Sequence, residues 1–300
     1  MHPVLGFFRR NAWATRELLA FCADLPPEVL TRSDPDVYGS IEALFNHIVG
    51  AEGRYLRRLD GGEPEVAEDA PLPLADLAGP AEACARRWEA LLASVLDIER
   101  VREHQRGDLR FRMADWLGYV QAVHHGDDHR TQVNTLLSRQ GIEPPELSGW
   151  VFGDLPEQPG EISAGAEKLL PRFVDHHLWA IAQLMSWSVR LPDEQQEVTA
   201  PGTYGTLVET LKHLVFADHE YLGWLEYQDW AAYLGGEPDF GRRVGDENGW
   251  SPAWAIPVQA IHHGNDHRTH AGTVALANQL QTPDLDVWSY AISVGAYSEV

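Results

Sequence analysis

The chain has 300 residues, of which 44% are apolar, and a formal net charge of −22 at pH 7. This length is enough for two domains with cores of their own. A strongly negative chain repels the phosphate backbone, so we expect no binding to nucleic acid. There is no run of 18 apolar residues and no order typical of a signal peptide, so we expect no membrane partner and a cytoplasmic protein.

Apolar residues recur at helical spacing along most of the chain, whereas alternating strand patterns are scarce. This predicts an all-α protein. The early helix of interest runs from Ser40 to Arg58 and contains His47. A proline-rich stretch from Pro64 to Pro80 follows, and then a predicted helical run from Ala81 to Arg100.

The next helix carries the most informative pattern, Val-Gln-Ala-x-His-His-Gly-x-Asp-His-Arg-Thr, which runs from Val120 to Thr131 and again from Val258 to Thr269. Residues four apart on a helix share one face, and two such imidazoles can hold two corners of a metal's coordination shell. The pattern provides one pair per copy: His125 and His129, and His263 and His267.

Two polar residues share the stripe of the first pair and are candidate catalytic residues. Asp128 can orient an imidazole, bind the metal or accept a proton, although a salt bridge to Arg130 is an equal alternative. Gln132 lies one turn beyond His129, where it can contact substrate or a metal-bound water. In the second copy His270 replaces Gln132 and can add a fourth nitrogen that closes the site.

Two segments of the chain align with later segments of the same chain. We call the alignment that places Asn11 on His177 the early register, and the alignment that places Trp116 on Trp254 the late register. We therefore predict a tandem repeat with domains at residues 1–155 and 161–300, joined by a linker at Pro156 to Gly160. The second copy is shorter, and its third helix is missing or reduced to a stub near Trp230 to Leu234. Its uncovered flank would be filled by the other half or by another subunit.

The early register places His47 on His213, and eight of the fourteen histidines fall in matched positions. Scattered surface histidines have no reason to coincide in this way, so His47 and His213 are the natural third ligands. The simpler alternative is that the histidines satisfy one another or a backbone carbonyl, or are relics of an empty site.

Three neutral imidazoles leave a coordination position open, which is typical of a catalytic rather than a closed structural centre. The two cysteines, Cys22 and Cys84, have no matched partners, so we interpret them as buried apolar residues. A site without thiolate ligands favours zinc, nickel or iron as the divalent metal. We interpret Glu52 as solvated or capping an interface, and the paired arginines, such as Arg57-Arg58, as parts of solvated helix faces.

The segments Asn46-His47-Ile48, His125-Gly-Asp-Asp-His129-Arg-Thr-Gln132 and Pro144-Pro145-Glu-Leu147 resemble the DinB/YfiT-like superfamily of metal-dependent enzymes. This resemblance implies a four-helix bundle with a long crossover, in which His47, His125 and His129 hold a metal. Some members are thiol S-transferases or isomerases that use a low-molecular-weight bacterial thiol such as bacillithiol or mycothiol.

We therefore expect a metal-dependent transferase or hydrolase acting on a small molecule, with a low-molecular-weight thiol as a candidate co-substrate. The alternative is a non-enzymatic metal-binding or small-ligand-binding protein. In either case the two repeats are expected to form an intramolecular pseudo-dimer, or the chain a homodimer.

Overall fold

The computed structural model describes residues 1–67, 70–226, 243–246 and 249–300, and this part of the chain is mostly helical. The helices before the predicted linker are α1 (Pro3–Ala23), α2 (Pro27–Leu30), α3 (Ile41–Asp60), α4 (Ala78–Ala93), α5 (Asp115–Arg139) and α6 (Gly149–Gly153). The later described helices are α7 (Ala164–Glu167), α8 (Leu169–Ser188), α9 (Asp193–Gln196), α10 (Leu207–Glu226), α11 (Ala255–Ala277) and α12 (Val287–Ser293). Among the described helices, none is both long and apolar enough to span a bilayer.

Helix α3 begins and ends at residues suited to those positions. The Ser40 hydroxyl accepts a hydrogen bond from the Ala43 backbone N–H, and Gly61 closes the helix with a left-handed φ of 79°. An N-cap of this kind stabilises a helix by about 1 kcal/mol, and glycine adopts the left-handed conformation without strain. The two ends fix the length and register of the helix that carries His47.

Helices α1, α3, α4 and α5 pack against one another in the first half. Helix α3 contacts α4 and α5, and α1 contacts the same two helices. Helix α4 ends at Ala93, before the end that we predicted at Arg100, because Ser94 turns to an extended conformation. In the second half α11 packs against α8 and α10. The predicted stub near Trp230 to Leu234 lies outside the described residues.

The all-α prediction was incomplete, because the described residues include short strands. Strands β1 (Val101–Arg106) and β2 (Leu109–Ala114) form an antiparallel hairpin, β5 (Tyr297–Glu299) extends it beside β2, and β3 (Arg243–Asp246) pairs with β4 (Gly249–Pro252). Strand β2 buries alternating apolar side chains, Phe111 and Met113, whereas β1 is largely exposed. So short an alternation is a weak sequence signal.

One large cluster of buried apolar side chains spans the two halves. Phe7 and Phe173, which the early register matches, contact each other with ring centroids 4.4 Å apart. Helix α5 packs along α11, while α1 also contacts α11 and α8 also contacts α5. A single cluster of buried side chains therefore includes residues of both halves.

The segment after each late helix crosses to the other half. The backbone N–H of Gly149 donates to Gln259 Oε1 at 2.6 Å, and the N–H of Val287 donates to Gln121 Oε1 at 3.2 Å. A Cβ atom at Gly149 would lie 2.8 Å from the Gln259 backbone, so this close approach requires glycine. Each crossing segment then presents a tryptophan to a tyrosine of the opposite half: Trp150 to Tyr221, and Trp288 to Tyr55.

Candidate metal centre

The first three predicted ligands lie together between α3 and α5. His47 Nε2 lies 2.9 Å from His125 Nε2, and the centroids of the His47, His125 and His129 rings are 4.4 to 4.8 Å apart. Two nitrogen ligands of a tetrahedral zinc ion, each about 2.0–2.1 Å from the metal, are about 3.4 Å apart. A small adjustment of the rings is therefore enough to fit one divalent cation.

The second triad has nearly the same geometry between α10 and α11. His213 Nε2 lies 3.0 Å from His263 Nε2, and the ring centroids of His213, His263 and His267 are 4.3 to 4.9 Å apart. A tyrosine packs on the early ligand in each half, with Tyr38 4.4 Å from His47 and Tyr204 4.6 Å from His213. Sequence reasoning missed these tyrosines, although each directly precedes a glycine that the early register matches.

Burial favours the neutral form of two histidines in each triad. Burial, with a smaller effect of the neighbouring His129, lowers the pKa of His47 to about 4. The same causes lower the pKa of His125 well below its usual range. In the second triad burial is again the largest cause and lowers the pKa of His263 to about 3 and of His267 to about 4. Neutral imidazoles present lone pairs at neutral pH, as a metal site requires.

Gln132 orients the His129 ring. The backbone N–H of Tyr38 donates to Gln132 Oε1, and His129 Nδ1 lies 3.1 Å from the same oxygen. Because this oxygen accepts, Nδ1 carries the proton and Nε2 keeps its lone pair for the site. The described cavity that reaches the first triad is lined by Asp128 but not by Gln132.

His270 does not reproduce this arrangement in the second half. His270 forms a group with Asp266 and His267, whose possible ligand atoms lie within 4.8 Å of one another. This group shares His267 with the second triad but does not include His213 or His263. Nδ1 of His267 and Nδ1 of His270 are both buried and have no hydrogen-bond partner among the described residues. The second triad therefore lacks the amide that holds His129 in the first.

The histidines that precede each pair point toward the opposite half. His124 Nδ1 lies 3.0 Å from Asn265 Oδ1, and His262 Nδ1 lies 3.3 Å from Asp127 Oδ1. Asn265 also donates to Asp127 Oδ2 at 3.0 Å, at the centre of the contact between α5 and α11. Neither His124 nor His262 belongs to a triad, as their direction on the helix predicts.

A cavity of about 690 Å³ adjoins the first triad. Its wall includes Asp286 and Trp288, which belong to the second half and cross over to reach it. Asn46 holds the segment between α3 and α4 at the cavity, because its side chain donates to the Leu72 carbonyl and accepts from the Leu72 N–H. The contribution of the second half was not visible in the sequence, since the pairing of the halves is a tertiary property.

The structure contradicts a solvated position for Glu52 and for some of the paired arginines. Glu52 is 6% exposed and accepts a hydrogen bond from Asn11, so it is not solvated, and burial raises its pKa to about 7. Arg58 is half-buried against Tyr55 and Trp288, and Arg10 is buried in an ion pair with Asp127. The two cysteines are buried and lie outside both triads, and burial raises the pKa of Cys22 to about 12.

The DinB family model matches residues 1–159, which include the whole first triad. The chain belongs to the DinB family. Neither the curated proteins nor the solved structures contain a significant match to it. The geometry of the triads is compatible with metal binding in a DinB protein, and the second triad lies beyond the matched residues.

Proposed function

We propose that this DinB protein is a metal-dependent enzyme that acts on a small molecule in the cavity beside the first triad. The main support is the convergence of three imidazoles at the wall of a cavity of about 690 Å³. A closed structural site takes four protein ligands, whereas three leave a position for a reacting group. The nitrogen-only donor set suits zinc, nickel or iron.

The proposed reaction class is thiol S-transfer or hydrolysis, with a bacterial low-molecular-weight thiol as candidate co-substrate. When bound, a divalent cation would lower the pKa of a thiol or water. In S-transfer the thiolate sulfur bonds to an electrophilic carbon, and the leaving group departs with the electron pair of its bond. The thiol proton needs an acceptor, and Asp128 is the candidate because it lines the cavity beside the first triad.

The two halves are proposed to act as an intramolecular pseudo-dimer in the cytoplasm. Support comes from the reciprocal crossing of the segments that carry Trp150 and Trp288, since each completes the surroundings of the opposite triad. Under this proposal the boundaries at residues 1–155 and 161–300 separate two repeats in the sequence rather than two independently folding units.

Metal content tests the first part of the proposal. Protein purified without a histidine tag should bind up to two divalent ions per chain by mass spectrometry, and His125→Ala and His263→Ala should each remove one. The matched control is His219→Ala, because His219 is exposed on α10 and belongs to neither triad. Equal metal content in all four proteins would contradict the assignment of both triads.

Turnover tests the second part. The metal-loaded protein is incubated with bacillithiol or mycothiol and an aryl chloride, or with an ester for hydrolysis, and product is followed by chromatography. We expect turnover that His125→Ala abolishes and His219→Ala preserves. Stoichiometric metal without turnover of any of these substrates would favour a non-enzymatic metal-binding protein.

A further inference from the structure

Two arginines of α3 lie on the same face as the metal-ligand candidate His47. Positions 47, 54 and 58 follow one another at intervals of two helical turns and one turn, so the three side chains form one stripe along the helix. Arg54 and Arg58 line the same cavity as the first triad. At about 1.5 Å per residue, the Cα atoms of His47 and Arg54 are about 10 Å apart.

Neither Arg54 nor Arg58 forms an ion pair with the described residues, which is unusual in this chain of net charge −22. Several other half-buried arginines pair with a carboxylate, as Arg87 does with Asp60 and Arg139 with Asp36. The Arg58 guanidinium lies instead over the rings of Tyr55 and Trp288, at 5.8 and 5.7 Å from their centroids. Burial lowers the pKa of Arg58, and Arg54 adds to this effect. The two cations therefore lack an anionic partner within the described protein.

The second half shows that packing does not require an arginine here. The early register places Glu220 at the position of Arg54 and Trp224 at that of Arg58. The Trp224 ring occupies the equivalent place, with its centroid 5.4 Å from Trp150 and 6.4 Å from Tyr221. Since an aromatic ring fills this position, the positive charge of Arg58 needs an explanation other than packing.

We propose that Arg54 and Arg58 form an oxyanion-binding site in the first cavity, and that the substrate or co-substrate carries a carboxylate or phosphate group. This inference deepens the proposed function, and it places the anionic group about 10 Å from the triad, two turns of α3 away. The planar guanidinium binds both kinds of oxyanion through paired N–H donors. Trp288 of the second half positions Arg58, so the site is complete only when the halves are joined. In the second half the matched positions are Glu220 and Trp224, so neither carries an arginine.

Calorimetric titration of the metal-free full-length chain tests the site, with inorganic phosphate as one probe and succinate as the other. We expect saturable binding of at least one probe, weakened at least tenfold by Arg54→Gln and by Arg58→Trp. The second variant copies the residue of the other half, which the fold accepts. The control Arg86→Gln removes the same charge from an exposed position on α4 and should leave binding unchanged.

The two probes separate the ligand classes, because tighter binding of phosphate indicates a phosphate ester and tighter binding of succinate indicates a carboxylate. Binding of neither probe, or equal loss in Arg86→Gln, overturns the proposal. Circular dichroism of all variants shows whether a loss of binding comes from a loss of fold. The further variant Arg58→Lys keeps the charge and should retain measurable binding. Metal content is measured on the same samples. Normal metal content without arginine-dependent binding refutes the anion site alone. Arginine-dependent binding of a probe by a protein that binds no metal refutes the metal-dependent enzyme alone.

Discussion

The Thr131 hydroxyl donates a hydrogen bond to Asp266 Oδ1 at 2.6 Å, and thereby joins the two copies of the histidine pattern. The reciprocal bond is also present, because the Thr269 hydroxyl donates to Asp128 Oδ1 at the same distance. Each aspartate immediately precedes the last histidine of its triad. The carboxylate beside each candidate metal site is therefore held by the opposite half of the chain.

Replacing Thr131 with valine should reduce the free energy of unfolding by about 1.5–3 kcal/mol, because a hydrogen bond to a charged group is lost without a change in shape. Urea unfolding of the metal-free protein measures this. Thr135→Val is the matched control, one turn further along α5, where the hydroxyl donates only to the backbone carbonyl of Thr131. Its cost should be below about 1 kcal/mol, since that carbonyl also lies within the helix. Equal costs for the two variants would show that the hydrogen bond from Thr131 to Asp266 contributes nothing measurable to the free energy of unfolding.

The grouping of the six histidines could be predicted from the sequence, because helical spacing and internal matching can be read along the chain. Their role as metal ligands stays a prediction. His125 and His129 share a face by their spacing alone, and His47 is indicated by its match to His213. The structure places all six histidines in two groups of three. It leaves the catalytic roles of Asp128 and Gln132 as predictions.

The surroundings of the sites could not be predicted, because they depend on how the halves pack. No local pattern indicates that Trp288 lies beside Tyr55, or that Thr269 binds Asp128. The dipeptide Arg57-Arg58 suggests a solvated surface, yet Arg58 lies in the cavity wall. Its position one turn beyond Arg54 and three turns beyond His47 was the available signal.

Gln132 should strengthen metal binding at the first triad. Residues that orient a ligand histidine typically contribute about 10-fold to 100-fold to metal affinity. We therefore expect Gln132→Ala to weaken the first site at least tenfold, and His270→Gln to strengthen the second by supplying the same amide. Each site is titrated against a chromophoric chelator in a chain whose other triad is disabled by His213→Ala or His47→Ala.

The control for this comparison is Gln140→Ala, because Gln140 lies at the end of α5 and bonds only backbone carbonyls. If the metal affinity of the first site is equal in wild type, Gln132→Ala and Gln140→Ala, the Gln132 amide does not orient His129.

Glu52→Gln should stabilise the protein above neutral pH. Burial raises the pKa of Glu52 from its usual 4.5 to about 7, so the folded state is penalised as pH rises from 4.5 through 7. At about 1.36 kcal/mol per pKa unit the penalty approaches about 3 kcal/mol at pH 8. Glutamine keeps the acceptor for Asn11 without the charge.

Urea unfolding at pH 8 and at pH 4.5 measures the effect of Glu52→Gln as a difference from wild type. The gain should be largest at pH 8 and should disappear at the lower pH. Glu17→Gln, an exposed change on α1, should show no such dependence. A variant that is less stable than wild type at pH 8 would show that Glu52 is needed as a carboxylate.

Asp127 and Asn265 occupy matched positions and contact each other. Because one is a carboxylate and the other an amide, the first half should pair with the second half of its own chain rather than with the first half of another chain. Both side chains are 1% exposed, and the Asn265 amide donates to Asp127 Oδ2 at 3.0 Å. Asn265→Asp would place two buried carboxylates face to face, and the nearby Arg268, which now donates to Asn265, would offset only part of the repulsion. We expect a loss of about 2–4 kcal/mol in the free energy of unfolding at pH 7.

The exchanged variant, Asp127→Asn with Asn265→Asp, removes the repulsion and should be more stable than Asn265→Asp alone. It should remain below wild type, because Arg10 and Arg130 then lose the anion that both contact. Asn278→Asp, at the half-buried end of α11, is the control. It loses two hydrogen bonds to backbone carbonyls but faces no second carboxylate, so it should cost less than Asn265→Asp. Should Asn265→Asp unfold at the same urea concentration as wild type, the asparagine would have no part in pairing the halves. Two first halves would then be able to meet through Asp127 as readily as the two halves of one chain.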